Sequence, residues 1–254
     1  MKLTRPFTHL LATCALLALP AWGQAPVASA TPPGWNASLT KLFGEIKAFS
    51  AKSDLRMLDK SGQETMSLAG MSFALLDEKV RAEVDLSQMK GPQMPPAAVA
   101  SLKQMGMDRL ISIVVPEKKA VTVIYPGLQA LVEMPMPESD TAAAMKDAKL
   151  ETTRLGEETI DGQPCVKNKV VITDAKGQKH DVLVWNATNL KDFPVQVRIA
   201  EGENTIEMRF RQVKFEKPEA GQFEPPAGYT KYADFQQFMA AAMQKMMSSG
   251  VEAK

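Results

Sequence analysis

Lys79-Val80-Arg81-Ala82-Glu83-Val84-Asp85-Leu86 has an apolar residue at every even position and a charged one at every odd position. Side chains alternate between faces along an extended strand, so this octapeptide has one dry face and one wet face. Such a strand belongs to an antiparallel sheet with one side packed and the other solvated, because parallel sheets bury both sides.

Less perfect alternation marks ten more strands, over residues 51–58, 63–76, 110–115, 120–125, 128–134, 150–160, 165–173, 179–186, 195–200 and 205–215. Their connections are short and turn-forming, among them Asp59-Lys60-Ser61-Gly62, Pro126-Gly127, Asp161-Gly162-Gln163-Pro164 and Glu201-Gly202-Glu203-Asn204. Sequential hairpins, a meander, follow. At Gly70 the apolar parity slips from even (Met66, Leu68) to odd (Met71, Phe73, Leu75), which predicts a bulge that restores the facing and bends the sheet. Phe193-Pro194 reads as the entry to an edge strand. Gly156 and Asp161-Gly162 read as structural, a bulge and a tight turn.

Apolar residues at helical spacing supply covers for the dry face. Leu39, Leu42, Phe43, Ile46 and Phe49 follow Ser38, an N-cap type, and Tyr232, Phe235, Phe238, Met239, Ala242, Met243 and Met246 form a stripe near the C-terminus. Shorter helices are expected over 95–105 and, capped by Ser139, over 139–148. The expected class is α+β, mainly β: a strongly curved antiparallel sheet or half-barrel of about eleven strands covered by amphipathic helices.

The N-terminus reads as an export signal. Lys2 and Arg5 precede the apolar run Leu10 to Leu19, and Ala21 and Gly23 offer small residues for cleavage before Gln24. The expected organisation is a signal peptide over 1–23, a loose segment over 24–37, the sheet domain over 38–230, and a methionine-rich helix and tail over 231–254. The destination is then periplasmic, in a Gram-negative type of envelope. Without the leader, 28 basic residues face 29 acidic ones, so nothing points to nucleic acid. Cys165 loses Cys14 as an intramolecular partner, so stability has to come from the core.

Sixteen methionines stand beside two histidines and two cysteines in the whole chain. Methionine is flexible and polarizable and suits adaptable apolar contact, while His and Cys are the usual catalytic and metal-ligating types. His180 reads as a surface residue, and the carboxylate pairs Asp77-Glu78 and Glu157-Glu158 as solvated neighbours facing opposite sides of a strand. Nucleophile-elbow, phosphate-loop and zinc-protease signatures do not occur. The chain is therefore expected not to be an enzyme and to need no cofactor.

Gly156-Glu157-Glu158-Thr159-Ile160-Asp161-Gly162-Gln163-Pro164-Cys165, the tryptophan strand Asp181-Val182-Leu183-Val184-Trp185, Asp192-Phe193-Pro194 and Phe223-Glu224-Pro225-Pro226-Ala227-Gly228-Tyr229 resemble the Lol-type lipoprotein-carrier superfamily and its uncharacterised periplasmic relatives. The resemblance spans roughly residues 39–229. It implies a curved half-barrel whose concave apolar face, covered by helices, holds acyl chains or other lipophilic ligands. The polar residues that the carriers use at the cavity mouth have no match here, and the C-terminal methionine helix lies outside the family pattern.

The expected function is non-catalytic binding or carriage of a lipid, an acyl chain or a lipoprotein, with peripheral contact to membrane or an envelope protein. The expected apolar lining is Met57, Met66, Leu68, Phe73, Val84, Leu86, Val123, Tyr125, Val132, Trp185, Met208 and Phe210. The expected lid is Met105, Met107, Phe235, Met239 and Met243. One rival is an interaction module whose concave face is filled by its own side chains. The other is a Cu(I) binder using the thioethers of Met105 and Met107, Met134 and Met136, and Met243, Met246 and Met247.

Overall fold

The computed structural model describes residues 37–251, apart from 93, 137, 139, 140, 175 and 176. The leader over 1–23, the segment before residue 37 and the side chains of the expected caps Ser38 and Ser139 lie outside the described residues.

All eleven expected strands form: β1 (Ala48–Leu58), β2 (Glu64–Leu76), β3 (Lys79–Asp85), then, after the two-residue β4 (Met89–Lys90), β5 (Arg109–Val115), β6 (Ala120–Tyr125), β7 (Ala130–Pro135), β8 (Lys149–Ile160), β9 (Gln163–Thr173), β10 (Lys179–Ala187), β11 (Phe193–Glu201) and β12 (Asn204–Lys214). β13 (Thr230–Tyr232) completes the set. The two strands without a sequence signal, β4 and β13, are too short to show alternation. Helices α1 (Pro96–Gln104), α2 (Ala142–Asp147) and α3 (Phe235–Val251) form in the expected segments, but Tyr232, read as part of the C-terminal helical stripe, lies on β13 and the helix begins only at Phe235.

The strands make one curved, unclosed sheet in the order β13-β7-β6-β5-β3-β2-β1-β12-β11-β10-β9-β8, with β4 beside β2. It consists of two meanders, β1 to β7 and β8 to β12, joined where β1 pairs antiparallel with β12. Only β13 runs parallel to its neighbour, β7. The Gly70 bulge is present: Ser53 pairs with Met71 but Leu55 with Leu68, and the Gly70 N–H, at φ 73°, donates to Asp54 Oδ1 at 2.9 Å. Met71 and Leu68 consequently both enter the core.

Two local expectations are corrected. Phe49 lies on β1, where it begins the inward series Phe49, Ala51, Ser53, Leu55, and the preceding helix is a 3-10 helix, Ala37–Phe43. Pro194 is not at an edge, since β11 lies between β10 and β12. Its missing donor is accommodated by a bulge: Trp185 pairs with Gln196 and Asn186 with Pro194.

The concave face is apolar across the sheet. Its centre is five phenylalanines, Phe43 from the 3-10 helix and Phe49, Phe73, Phe193 and Phe210 from four strands, all buried. Each buried aromatic or aliphatic side chain of this size contributes roughly 1.5–3 kcal/mol. The outer face of β5 to β7 is also dry: Ile113, Val115, Ile124 and Leu131 pack beneath Phe223, with Tyr229 alongside. The Phe223 to Tyr229 stretch thus acts as an outer strap.

Candidate functional site

The candidate site is the concave apolar face together with the rim where the chain enters β1. Strand register brings Met57, Met66, Leu68, Phe73, Val84, Leu86, Met208 and Phe210 into one cluster around the phenylalanines. Val123, Tyr125 and Val132 continue the same face on β6 and β7, under Phe238 of α3, in a separate cluster. Met105, Met107, Phe235 and Met239 belong to that second cluster, whereas Met243 is 57% exposed and packs on nothing there. The side chains of Met246 and Met247 are outside the described set.

Trp185 is a correction to the expected lining. It pairs with Gln196, which pairs with Arg209, and so projects to the outer face. There its Nε1 donates to Glu158 Oε2 at 2.7 Å, and Lys167 Nζ and Arg198 Cζ lie 5.1 and 5.2 Å from the ring centroid. The next row of that face centres on Glu207, whose side chain is fully enclosed: Arg198 Nε donates at 2.5 Å, Arg209 Nη2 lies 3.5 Å away, and Arg56 also donates. Burial alone would raise the Glu207 pKa, but the hydrogen bonds from Arg198 and Arg56 prevail and hold it below the ordinary carboxylate value.

Phe43 fills the middle of the concavity. Its ring centroid lies 4.7 Å from Phe49, 5.5 Å from Phe193, 5.8 Å from Phe210 and 6.2 Å from Phe73. It is held there by a short tether. Gly44 N–H donates to Lys41 O and Ile46 N–H to Phe43 O, both at 3.0 Å, Asp77 N–H donates to Lys47 O at 2.6 Å, and Lys41 Nζ reaches Lys146 O at 3.2 Å. A cleft of about 630 Å³ opens on one side of this tether, lined by Leu42, Phe43, Ile46, Ala48, Lys191 and Phe215 among others. Another of about 270 Å³ lies against Gly44 to Lys47 as well, with Leu75 and Leu150 in its wall. Phe43 thus fills the centre of the described concavity, and both clefts lie at its rim.

The larger cleft has a polar edge. Lys191 Nζ sits 4.7 Å above the Phe215 ring, and Asn186 Nδ2 donates to Asp192 O at 2.8 Å. Lys191 and Asp192 both hold φ at 55°, a left-handed conformation that costs non-glycine residues on the order of 1–3 kcal/mol each. The buried ring of Phe193 and the Asn186 hydrogen bond fix that turn.

Other chemical candidates have ordinary surroundings. His180 Nε2 is 3.6 Å from Asp174 Oδ2, with the imidazole half-exposed. Burial pushes the Cys165 thiol up, away from the thiolate that reactivity requires, and Tyr125 is pushed up to about 12 by the same cause. Among the described residues no group of three or more His, Cys, Asp or Glu could hold a metal ion. No described helix is long and apolar enough to cross a membrane.

Sequence reasoning missed Phe43, Phe49, Phe193 and Ser53 as members of the concavity. Ser53 was legible: it is the polar intruder in the inward series Ala51, Ser53, Leu55, Met57. Phe43 was legible as part of an apolar stripe covering the dry face, but its depth is set by how the 3-10 helix docks.

No protein-family model matches the chain, and no curated protein sequence does. Several solved structures are similar in fold. The Mycobacterium tuberculosis lipoprotein LppX is 11% identical at a TM-score of 0.39, over 69% of this chain and 91% of its own. A LolA superfamily protein from Nitrosomonas europaea is 8% identical at 0.36, over 74% and 94%. LprF from Mycobacterium bovis is 14% identical at 0.34, over 76% and 94%. Each is a likeness of fold; the ligand has to be read from this chain's own residues.

Proposed function

We propose that this chain is a non-catalytic periplasmic carrier of a lipophilic molecule, a lipid or an acyl chain, exported by the leader at residues 1–23. The observation that carries the reading is Phe43. Its ring, delivered with Leu39 by a short 3-10 helix that has a cleft beside its tether, occupies the centre of an apolar concavity built mainly from strands. Withdrawing residues 37–47 opens a greasy groove without breaking a ladder hydrogen bond of the sheet. The expected lining residues Met57, Met66, Leu68, Phe73, Val84, Leu86, Met208 and Phe210 then face the ligand. The polar edge at Lys47, Lys191 and Asp192 faces the aqueous side.

The second reading, an envelope interaction module, is supported by the filled centre of the concavity and by β8. That strand is twelve residues long, pairs only with β9, and exposes 53% of Leu155. Mass spectrometry of lipids extracted from gently purified mature protein separates the two. The carrier arrives loaded or takes up a fluorescent fatty acid; a protein that is empty and takes up none is the interaction module.

A further inference from the structure

Ser53 is 1% exposed, and its Oγ is the only buried side-chain nitrogen or oxygen among the described residues without a hydrogen-bond partner. It lies on the concave face of β1. Across the ladders it is paired with Phe210 and Met71, and along the strand its same-face neighbours are Ala51 and Leu55. A buried hydroxyl left unpaired is destabilising, and such groups in native proteins call for a reason. Water is a poor one here, since a buried water needs two to four polar partners and those four neighbours offer no side-chain polar atom.

We propose that Ser53 is the internal polar anchor of the ligand site, and that it donates its hydroxyl proton to the neutral ester carbonyl of an acyl lipid. This rests on the carrier reading above. The chemistry selects the carbonyl by elimination. A carboxylate is excluded because the paired neighbours carry no cation to neutralise it, and an isolated buried charge is far more costly than a neutral dipole. A ligand hydroxyl is disfavoured because two facing hydroxyls share one hydrogen bond and leave one proton without an acceptor. A carbonyl needs one donor, and Ser53 has one to give.

The depth is suitable for a lipid. The rim cleft meets β1 at Ala48, whose side chain turns to the outer face, and Ser53 lies on the concave face five residues further along, about 16 Å at the rise of an extended chain. Phe43 lies over this route, against Phe210, the cross-strand partner of Ser53. The lipid therefore crosses the concavity with its ester at mid-depth and apolar chain on the phenylalanine and methionine side chains around it.

The test uses the full mature chain and Ser53→Ala, with radiolabelled methyl palmitate and hexadecane as probes in equilibrium binding, and thermal unfolding of the ligand-free proteins. The expected result is that S53A weakens methyl palmitate binding roughly tenfold, one hydrogen bond's worth, and leaves hexadecane binding unchanged. It also raises the ligand-free Tm by roughly 2–4 °C, because an unpaired hydroxyl has been removed. Hexadecane and methyl palmitate binding equally in both proteins overturns the anchor while the carrier reading stands. A lower Tm for S53A also overturns the anchor, since the hydroxyl then has a structural partner. Wild-type protein that binds neither probe overturns both.

Discussion

Phe238 lies flat on Tyr125, ring centroids 4.5 Å apart and planes at 17°, and this stack fastens the first turns of α3 to β6. Tyr232 meets Phe238 edge-on at 5.8 Å, and Asp234 Oδ1 caps the helix by accepting from the Gln237 N–H at 2.8 Å. One turn beyond Met239, Met243 is exposed. The methionine excess is thus divided: Met105, Met107, Met134 and Met239 gather under or beside Phe238, while Met243 further along α3 is exposed.

Phe238→Ala removes the buried ring at the centre of that anchor. A buried Phe→Ala change costs about 3–5 kcal/mol, and here the loss falls on the docking of α3. Limited trypsin digestion is expected to cut at Lys245 much faster than in the wild type, with the sheet core resisting. Met243→Ala is expected to change neither cleavage nor denaturation midpoint. Equal digestion of F238A and the wild type would show that α3 is held elsewhere.

How much of this was legible in the sequence depends on what sets each position. Alternation as clean as Lys79 to Leu86 fixes both a strand and its facing, and the parity slip at Gly70 foretold the bulge. Trp185 was placed on the wrong face because Val184 and Trp185 are both apolar, so alternation cannot choose between them. The register with Gln196 and Arg209 decides. Phe49 fitted helical spacing from Phe43 and Ile46 but also the β1 series, and the strand prevailed through its ladders to β2. Helical spacing set Phe43 over the dry face, but its place at the centre of the concavity is a matter of docking, a tertiary event.

Glu207 predicts an acid-sensitive outer face. Its folded pKa is held below the unfolded value of about 4.3. Its contribution is therefore complete above the unfolded value and is lost as pH falls through the lower folded value. Glu207→Gln leaves Arg56 and Arg198 without their shared carboxylate. Both arginines reach solvent, so the cost is expected at the low end for a broken buried pair, about 3 kcal/mol near neutral pH. Denaturation midpoints measured from pH 7 down to pH 3 should converge for the two proteins in acid; a constant gap would assign the cost to packing.

Gly106 and Gly127 touch backbone to backbone. A Cβ built on Gly127 would lie 2.5 Å from the Gly106 carbonyl oxygen, a contact no rotamer relieves. Gly127→Ala must push the turn after β6 away from the loop that carries Met105 and Met107. The expected cost is about 1–3 kcal/mol, seen as a lower denaturant midpoint at an unchanged slope. Gly221→Ala, with nothing within 4 Å of its Cβ, is the control and is expected to be near neutral.

Phe43→Ala is the variant that sets stability against uptake. Deleting this ring removes the partner that Phe49, Phe73, Phe193 and Phe210 share, and the four remaining rings sit on separate strands whose ladders limit how far they can close. The site therefore keeps a cavity, and the expected loss is about 3–5 kcal/mol. An apolar cavity stays dry and accepts apolar guests. F43A should consequently bind a fluorescent fatty acid more tightly than the wild type, and the bound ligand should restore part of the lost Tm, because anything that binds only the folded state stabilises it by mass action. Phe215→Ala lowers affinity in the opposite sense, since Phe215 lines the rim cleft rather than filling the interior. An F43A protein that is less stable yet takes up no more ligand than the wild type would mean that the concavity is core and nothing else, and that Phe43 fills it for stability alone.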